Sequence, residues 1–412
     1  MSSRSTVADS APTKGKFNRR DVASATAFFL AVVGLALGTL KILHDRSPRG
    51  AVALGDVGKF LFVPSRDVAE VTIIDSKSDR VVTRLALAGV PRQVLVSEAA
   101  GAMVASFPDR SVLEAIDLSS PTEKAKIDVA MVPEFMVLSP DGYLLAAADG
   151  RSGSIAVVSL PKRRALLRLS GFANPANLTF SLDGSQLYVT DGKTLELAVV
   201  DIVQQAVVAR AALATPPSSH SSGAGKPGFG ASALTRTPDG RYGFVSVAGL
   251  DSVIVVDLSA LKPVKQLRVG HAPLRPYGTA DGRLMLVPND GDQSVSVIDT
   301  ATLQVAATLP GAKGVTAINT GWFESVAFVM SQQQRVVVLD LMKFQKLGEI
   351  ELPGSPGAGV VTSNGQKLYT ALAEVDQVAV IDAQAHKLGT LIEGVGRRPS
   401  SAILARSNNY CH

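Results

Sequence analysis

Along most of the chain, a run of β-branched and aliphatic residues ending in aspartate returns at a nearly constant interval. Examples are TIID, LAVVD, VIVVD and VSVID. The closing residues are Asp75, Asp117, Ser159, Asp201, Asp257, Asp299, Asp340 and Asp382. Successive gaps are 42, 42, 42, 56, 42, 41 and 42 residues. The chain therefore contains eight copies of one repeat and a single insertion of 14 residues between the fourth and fifth copies.

A second column of residues, in tight turns, has the same period. Its members are Gly101, Gly142, Gly184, Gly240, Gly282 and Gly365, with Phe323 in the same phase. Asp-Gly and Asn-Gly pairs supply the positive φ angles that tight hairpin turns need. Each unit reads as four short runs rich in β-branched residues, bounded by Gly, Pro, Asn or Asp. Four antiparallel strands per repeat of about 42 residues predict one blade of a β-propeller.

The repeat predicts an all-β fold of eight four-stranded blades over residues 51–407, followed by a tail at 408–412. Two segments, GAVALG (Gly50–Gly55) and SSAILARS (Ser400–Ser407), read as copies of the innermost strand, so either can complete blade one. The C-terminal copy would close the ring and leave no exposed sheet edge. A seven-bladed ring with a spare unit is the alternative. The aspartate that ends each third strand is expected to accept backbone N–H bonds from the next turn, and Ser159 to do so more weakly.

Before the repeats, residues 22–43 (VASATAFFLAVVGLALGTLKIL) form an apolar stretch long enough to cross a membrane as a helix. The basic residues just before it are Lys14, Lys16, Arg19 and Arg20. By the positive-inside rule, residues 1–21 form a cytoplasmic tail, residues 44–50 a linker, and the propeller lies in the periplasm. We therefore predict a bacterial protein of the cytoplasmic membrane with one signal-anchor helix.

Two cleaved signals compete with the uncleaved anchor. Ala36-Leu37-Gly38 is a tolerable small-x-small cleavage site, and Arg19-Arg20 resembles part of a twin-arginine signal. Either alternative also places the propeller outside the cytoplasm.

Composition excludes several classes of protein. A net charge of +5, with no basic run interleaved with aromatic residues, does not indicate a nucleic-acid partner. The single cysteine, Cys411, excludes an internal disulfide and cysteine-based metal or haem-attachment motifs. With His412 it could hold copper(I) or pair with another chain; an inert tail is the other interpretation. No G-x-S-x-G, H-E-x-x-H or phosphate-loop motif occurs. The sequence therefore leaves it uncertain whether the protein is an enzyme, and it favours a protein without enzymatic activity.

The repeat resembles the YVTN family of β-propellers. The matching pieces are LYVT (Leu187–Thr190), VSVIDTAT (Val295–Thr302), RVGHAP (Arg268–Pro273) and SPDG (Ser139–Gly142). The resemblance implies an exported propeller that binds or scaffolds. Similar repeats occur in d1-haem domains and in lactonase propellers. A cofactor-handling or redox propeller that binds a tetrapyrrole is therefore the alternative function, and a lactonase-like hydrolase a weaker one.

Propeller ligands usually lie at a mouth of the central channel, where the loops that lead into the innermost strands converge. The predicted ligand-binding residues in those loops are Arg92, Glu134, Asn177, His271, Arg275, Lys313, Arg397 and Arg398, with Asn174 beside them. Because this set is mostly basic, it favours an anionic small molecule or an acidic partner surface, such as a periplasmic or membrane protein. The alternative is an ordinary solvated rim.

Among these residues, His271 is the predicted contact for a ligand or haem. The insertion, residues 215–230 with His220, is expected to form a lid or a partner-contact segment if it has a function. No metal-binding or catalytic set is predicted.

Overall fold

The computed structural model describes residues 54–214, 234–321 and 324–405, and within them the chain forms eight four-stranded antiparallel sheets. The eight blades predicted from the repeat are confirmed, and the seven-bladed alternative is wrong. No helix within these ranges is long and apolar enough to cross a membrane. The predicted anchor at 22–43, the insertion with His220, and the Cys411-His412 tail lie outside them.

Each strand is short because it crosses its own blade only once. Strands β1 to β16 are Phe60–Pro64, Glu70–Asp75, Arg80–Ala86, Gln93–Ser97, Ala102–Ser106, Val112–Asp117, Lys124–Asp128, Phe135–Leu138, Leu144–Asp149, Ser154–Ser159, Arg164–Ser170, Pro175–Phe180, Gln186–Asp191, Glu196–Asp201, Ala206–Ala212 and Thr235–Arg236. Strands β17 to β32 are Tyr242–Val247, Ser252–Asp257, Lys262–Arg268, Tyr277–Gly278, Leu284–Asn289, Ser294–Asp299, Gln304–Pro310, Val315–Gly321, Val326–Ser331, Arg335–Asp340, Gln345–Glu351, Pro356–Val361, Lys367–Leu372, Gln377–Asp382, Lys387–Ile392 and Ile403–Leu404. Two short 3-10 helices are Val57–Lys59 and Ala248–Leu250.

Blade one combines the two ends of the propeller. Its sheet has the order β3-β2-β1-β32, in which Leu61 pairs with Leu404 and Phe62 with Ile403. The innermost strand of blade one therefore comes from the C-terminal copy of the motif. Blades two to eight each use four consecutive strands, β4–β7 through β28–β31. We call the strands of each blade A (innermost) to D.

The hydrophobic core consists of eight clusters, and each lies between two adjacent blades. Neighbouring residues of a strand point to opposite faces, so each sheet serves two clusters. In β1, Phe62 packs towards blade two, whereas Leu61 packs with Tyr369 of blade eight. The cluster between blades eight and one closes the ring. Because both faces of the B and C strands lie against other parts of the ring, their central residues are buried in an unbroken run instead of alternately.

The aspartates that end the C strands have the predicted role in the turns. Asp299 accepts the backbone N–H groups of Ala301 at 3.0 Å and Thr302 at 2.8 Å. Ser159 accepts only a longer bond, from the N–H of Lys162 at 3.4 Å. These hydrogen bonds lower the pKa of the Asp299 carboxyl. The repeated aspartates therefore shape the turns between strands C and D.

Candidate functional site

The alternation of strand direction places two kinds of connection on each side of the ring. The B–C loops and the D-to-A connections between blades form one side, which we call the loop face. The A–B and C–D turns form the other side, the turn face. All eight residues predicted from the sequence belong to the loop face or to the adjoining end of an A strand. They serve blades one, two, three, four, six and seven, so they surround the channel.

Glu134 and Asn174 both approach Gly150 on the loop face of blades three and four. The Glu134 Oε1 lies 2.9 Å from Arg151 Nε, and its backbone N–H donates to Ala148 at 2.8 Å. A Cβ added at Gly150 would lie 2.6 Å from the Asn174 Oδ1 and 3.1 Å from the Glu134 Oε2, so a larger residue there would displace these two side chains. The single acidic residue of the predicted set is thus half-buried and paired with a cation. Asn177 lies within β12, opposite Thr190, and is also half-buried.

A buried carboxylate fixes the loop that carries Asn174. Asp191 is 2% exposed and accepts backbone N–H bonds from Ala173, Asn174, Lys193 and Thr194 at 2.8–3.0 Å. Burial opposes ionisation of Asp191, but these hydrogen bonds outweigh it and lower its pKa. Asp191 therefore fixes the loop and is not a candidate for ligand binding.

His271 is oriented by two carboxylates on B–C loops. Its Nδ1 lies 2.9 and 3.0 Å from the two carboxylate oxygens of Asp251, and its backbone N–H donates to Asp292 at 3.0 Å. The imidazole is 59% exposed. A Cβ at Gly291 would lie 2.5 Å from His271 Cδ2, so the backbone there approaches the ring closely. When Nδ1 donates its proton to Asp251, the lone pair is on Nε2, which is the nitrogen available to a ligand.

Arg275 lies between this histidine and the A strand of blade six. It is half-buried, and its positive charge opposes the rise in the Tyr277 pKa that burial causes. His271 and Arg275 therefore belong to the same connection between blades five and six.

The remaining predicted residues are exposed on loops that the backbone fixes. Arg398 donates its N–H to Asp376 at 2.7 Å, accepts the N–H of Arg66 at 3.0 Å, and lies 3.5 Å from Asp67 through its guanidinium. The carbonyl of Arg397 accepts a hydrogen bond from the Ser65 hydroxyl. The Arg92 and Lys313 side chains are exposed, but hydrogen bonds fix the backbone at both residues. The Arg92 N–H donates to the Ser106 carbonyl at 2.7 Å, and the Lys313 carbonyl accepts from the Ser331 hydroxyl at 2.6 Å.

The B–C loops share this face, and none of their residues was among the predicted ones. They contribute Asp67, Asp251, Asp292 and Asp376, the carboxylates that contact His271 and Arg398. Their position between strands B and C of each repeat was the available signal, because antiparallel strands bring that loop to the same side as the D-to-A connection. The loop face therefore carries cations and carboxylates in contact.

A groove of about 420 Å³ borders Asp251 on blade five, lined by Leu250, Asp251, Ser252, Gln266 and Arg268. A neighbouring groove of about 470 Å³ shares Leu250 and Gln266 with it. Within the described ranges, no group of three or more His, Cys, Asp or Glu residues is placed to hold a metal ion.

The repeat and the ring are matched by a known family. A family model described as YNCE-like beta-propeller covers residues 96–405. The chain belongs to this family. The resemblance to YVTN-type repeats thus led to the right class of fold, and the YNCE-like match includes seven of the eight predicted site residues, all except Arg92. Comparison with curated proteins gave no match.

Solved structures share the fold of this YNCE-like propeller at low sequence identity. The dihydro-haem d1 dehydrogenase NirN in complex with DHE is 15% identical, with a TM-score of 0.71 over 87% of this chain and 77% of that chain. Hydrazine synthase from Kuenenia stuttgartiensis is 18% identical, with a TM-score of 0.52 over 71% and 95%. A protein of unknown function from Desulfotomaculum acetoxidans is 9% identical, with a TM-score of 0.53 over 83% and 98%. At these identities the likeness is one of fold alone.

Proposed function

We propose that this protein is a membrane-anchored binding protein that presents its loop face to a partner in the periplasm and catalyses no reaction of its own. The anchor and the compartment are supported by the apolar segment at 22–43 and the basic residues before it. The partner is a periplasmic or membrane protein, or an anionic small molecule. A tether of this kind raises the effective concentration of partners at the membrane.

The observation that carries the proposal is the pre-organisation of the loop face. Arg92, His271, Lys313, Arg397 and Arg398 are all exposed, and hydrogen bonds fix the backbones from which they project. A surface whose loops are already ordered loses little conformational entropy when a partner binds. Because carboxylates alternate with these cations, the face suits a polar protein surface with charges of both signs.

Photo-crosslinking in living cells tests this proposal on the full-length chain. A crosslinking amino acid placed at Lys313 on the loop face should give discrete adducts. The same group at Ala301, an exposed position in the C–D turn of blade six, is the control and should give none of those adducts. Identical adducts from both positions would contradict a loop-face site. Turnover of a substrate by the purified protein, with kinetics that respond to loop-face mutations, would contradict the non-enzymatic role.

A second candidate function, handling of a tetrapyrrole, is favoured by the His271–Asp251 pair. A carboxylate on Nδ1 fixes the orientation of the imidazole and leaves the Nε2 lone pair to a ligand, which is the arrangement found in many metal-ligating histidines. His271 would hold the metal of a tetrapyrrole through Nε2, and the Arg275 guanidinium would pair with a propionate of that group. The likeness in fold to NirN, solved in complex with DHE, is consistent with this candidate.

Titration of the full-length protein with haemin, followed by its visible absorption, tests the second candidate. The wild type and the control His386→Ala, which alters a histidine in a turn-face C–D turn, should both produce a shifted Soret band. His271→Ala should lose it. If the wild type produces no shift, or if His271→Ala matches it, His271 is not an axial ligand and this candidate is discarded.

A further inference from the structure

The first described residue, Leu54, lies on the turn face beside blade two. Leu54 is 2% exposed, and its N–H donates to the carbonyl of Leu118 at 2.9 Å. Leu118 lies in the C–D turn that joins β6 to β7. The 53 residues before Leu54 therefore join the propeller on the side opposite the loop face.

The turn next to this junction carries a run of three basic residues. Lys162 and Arg163 lie between β10 and β11 of blade three, Arg164 begins β11, and all three are exposed. In the other seven C–D turns, all of them described, no such run occurs. The Arg163 Nη2 lies 3.1 Å from Asp117, the residue immediately before Leu118. The basic run is thus in contact with the turn at which the chain joins the ring.

Exposed apolar side chains extend this region onto blade four. Tyr143 is 46% exposed and lies beside the basic turn, since its carbonyl accepts the N–H of Leu160 at 3.0 Å. Leu182 in the A–B turn of blade four is 51% exposed, and Val203 in the C–D turn of the same blade is 86% exposed. Lysine and arginine beside tyrosine and aliphatic residues are typical of protein surfaces that contact lipid headgroups.

We propose that this corner of the turn face, formed by Tyr143, Lys162, Arg164, Leu182 and Val203, docks on an anionic phospholipid membrane. The inference rests on the proposed membrane anchor. Residues 44–53 separate the predicted anchor from Leu54, and ten extended residues reach at most about 36 Å. The propeller is therefore restricted to the membrane surface, and its junction lies beside the basic turn. Docking here turns the loop face away from the lipid and towards the partner.

Full-length protein in lipid nanodiscs tests this orientation. In a Cys411→Ser background, an environment-sensitive NBD label is placed on Val203→Cys or on Ala301→Cys, its counterpart in blade six. The discs contain phosphatidylcholine alone or with about a third phosphatidylglycerol, plus a lipid carrying a headgroup nitroxide. We expect at least a two-fold stronger quenching of the label at 203 than at 301, and only when phosphatidylglycerol is present.

Charge reversal separates lipid attraction from simple proximity. Lys162→Glu with Arg164→Glu leaves the Arg163–Asp117 contact intact and should remove the phosphatidylglycerol-dependent quenching. Lys262→Glu with Lys343→Glu makes the same charge change at the start of β19 in blade five and in the C–D turn of blade seven, and should preserve the quenching. Equal quenching at both labels, or quenching without lipid-charge dependence, overturns the docking while leaving the anchor in place. Protein that does not incorporate into the discs refutes the anchor and the docking together.

Discussion

The junction between blades eight and one contains a polar contact whose loss has a calculable cost. Tyr369 on β29 is fully buried, and its hydroxyl donates to Asp79 at 2.6 Å, with the carbonyl of Ser76 2.8 Å away. Lys367 Nζ lies 2.8 Å from the other oxygen of Asp79. Burial, followed by the Asp79 carboxylate, raises the pKa of Tyr369, so the phenol stays protonated and remains a donor. This contact spans the point where the ring closes.

Tyr369→Phe removes the hydroxyl and leaves the ring of the side chain in place. A hydrogen bond to a charged group contributes about 1.5–3 kcal/mol to stability. Roughly 330 described residues at ~2.1 cal/mol/K each give an unfolding entropy near 0.7 kcal/mol/K, so the expected fall in Tm is about 2–4 °C. Asp79 keeps Lys367 as a partner, which prevents a larger loss.

Calorimetry of the wild type, Tyr369→Phe and Tyr188→Phe measures this cost. Tyr188 holds the same position in β13 of blade four, and within the described residues its hydroxyl makes no hydrogen bond. Tyr188→Phe should therefore shift the Tm by less than about 1 °C. In an Asp79→Asn background the effect of Tyr369→Phe should shrink, because the charge is gone. Equal shifts for the two tyrosine variants would refute the reasoning that the Asp79 contact stabilises the closed ring.

Three further predictions concern the turns and the closing strand. Hydrogen bonds from Ser181 and Ser185 lower the pKa of Asp183 to about 2. In acid-unfolding curves, the wild type should therefore be more stable than Asp183→Asn above about pH 4, and this difference in stability should vanish as the pH falls towards 2. The Cβ of Gly153→Ala would lie 2.1 Å from the Phe172 carbonyl oxygen, whereas the Cβ of Gly101→Ala meets open space at a similar positive φ. In urea unfolding, Gly153→Ala should therefore lower the free energy of unfolding by at least ~2 kcal/mol more than Gly101→Ala does. Removal of residues 399–412, including β32, should broaden the thermal transition and expose blade one to protease, whereas an intact, protease-resistant ring would show that β32 is dispensable.

The repeat made the fold predictable because each blade depends mainly on local patterns. The C strand that ends at Asp299 and the turn glycine Gly142 could be recognised from the sequence, since apolar runs and positive-φ turns recur in every unit. Which copy of the inner strand completes blade one could not be decided locally. That choice depends on the pairing of Leu61 with Leu404, two residues from opposite ends of the ring.

The candidate site was predictable only in part. The order of the strands identified the connections that carry His271 and Arg398, and these do lie on the loop face. The sequence did not reveal that Asp251 holds His271, because the two residues belong to different connections and meet only when the blade folds. Charge counted from one class of loop therefore overstated the basic character of the rim.

The pairing of β32 with β1 also has a consequence for the order of events when the chain is made. Blade one has only three of its strands until β32 emerges from the ribosome, after the strands of the other seven blades. Until then, β1 is paired with β2 only, and its other edge at Leu61 and Phe62 is open, a situation that favours aggregation. Closure of the ring is thus a late, long-range step, and such steps are slow. Under the proposed export to the periplasm, the chain would benefit from being held unfolded until β32 has crossed the membrane.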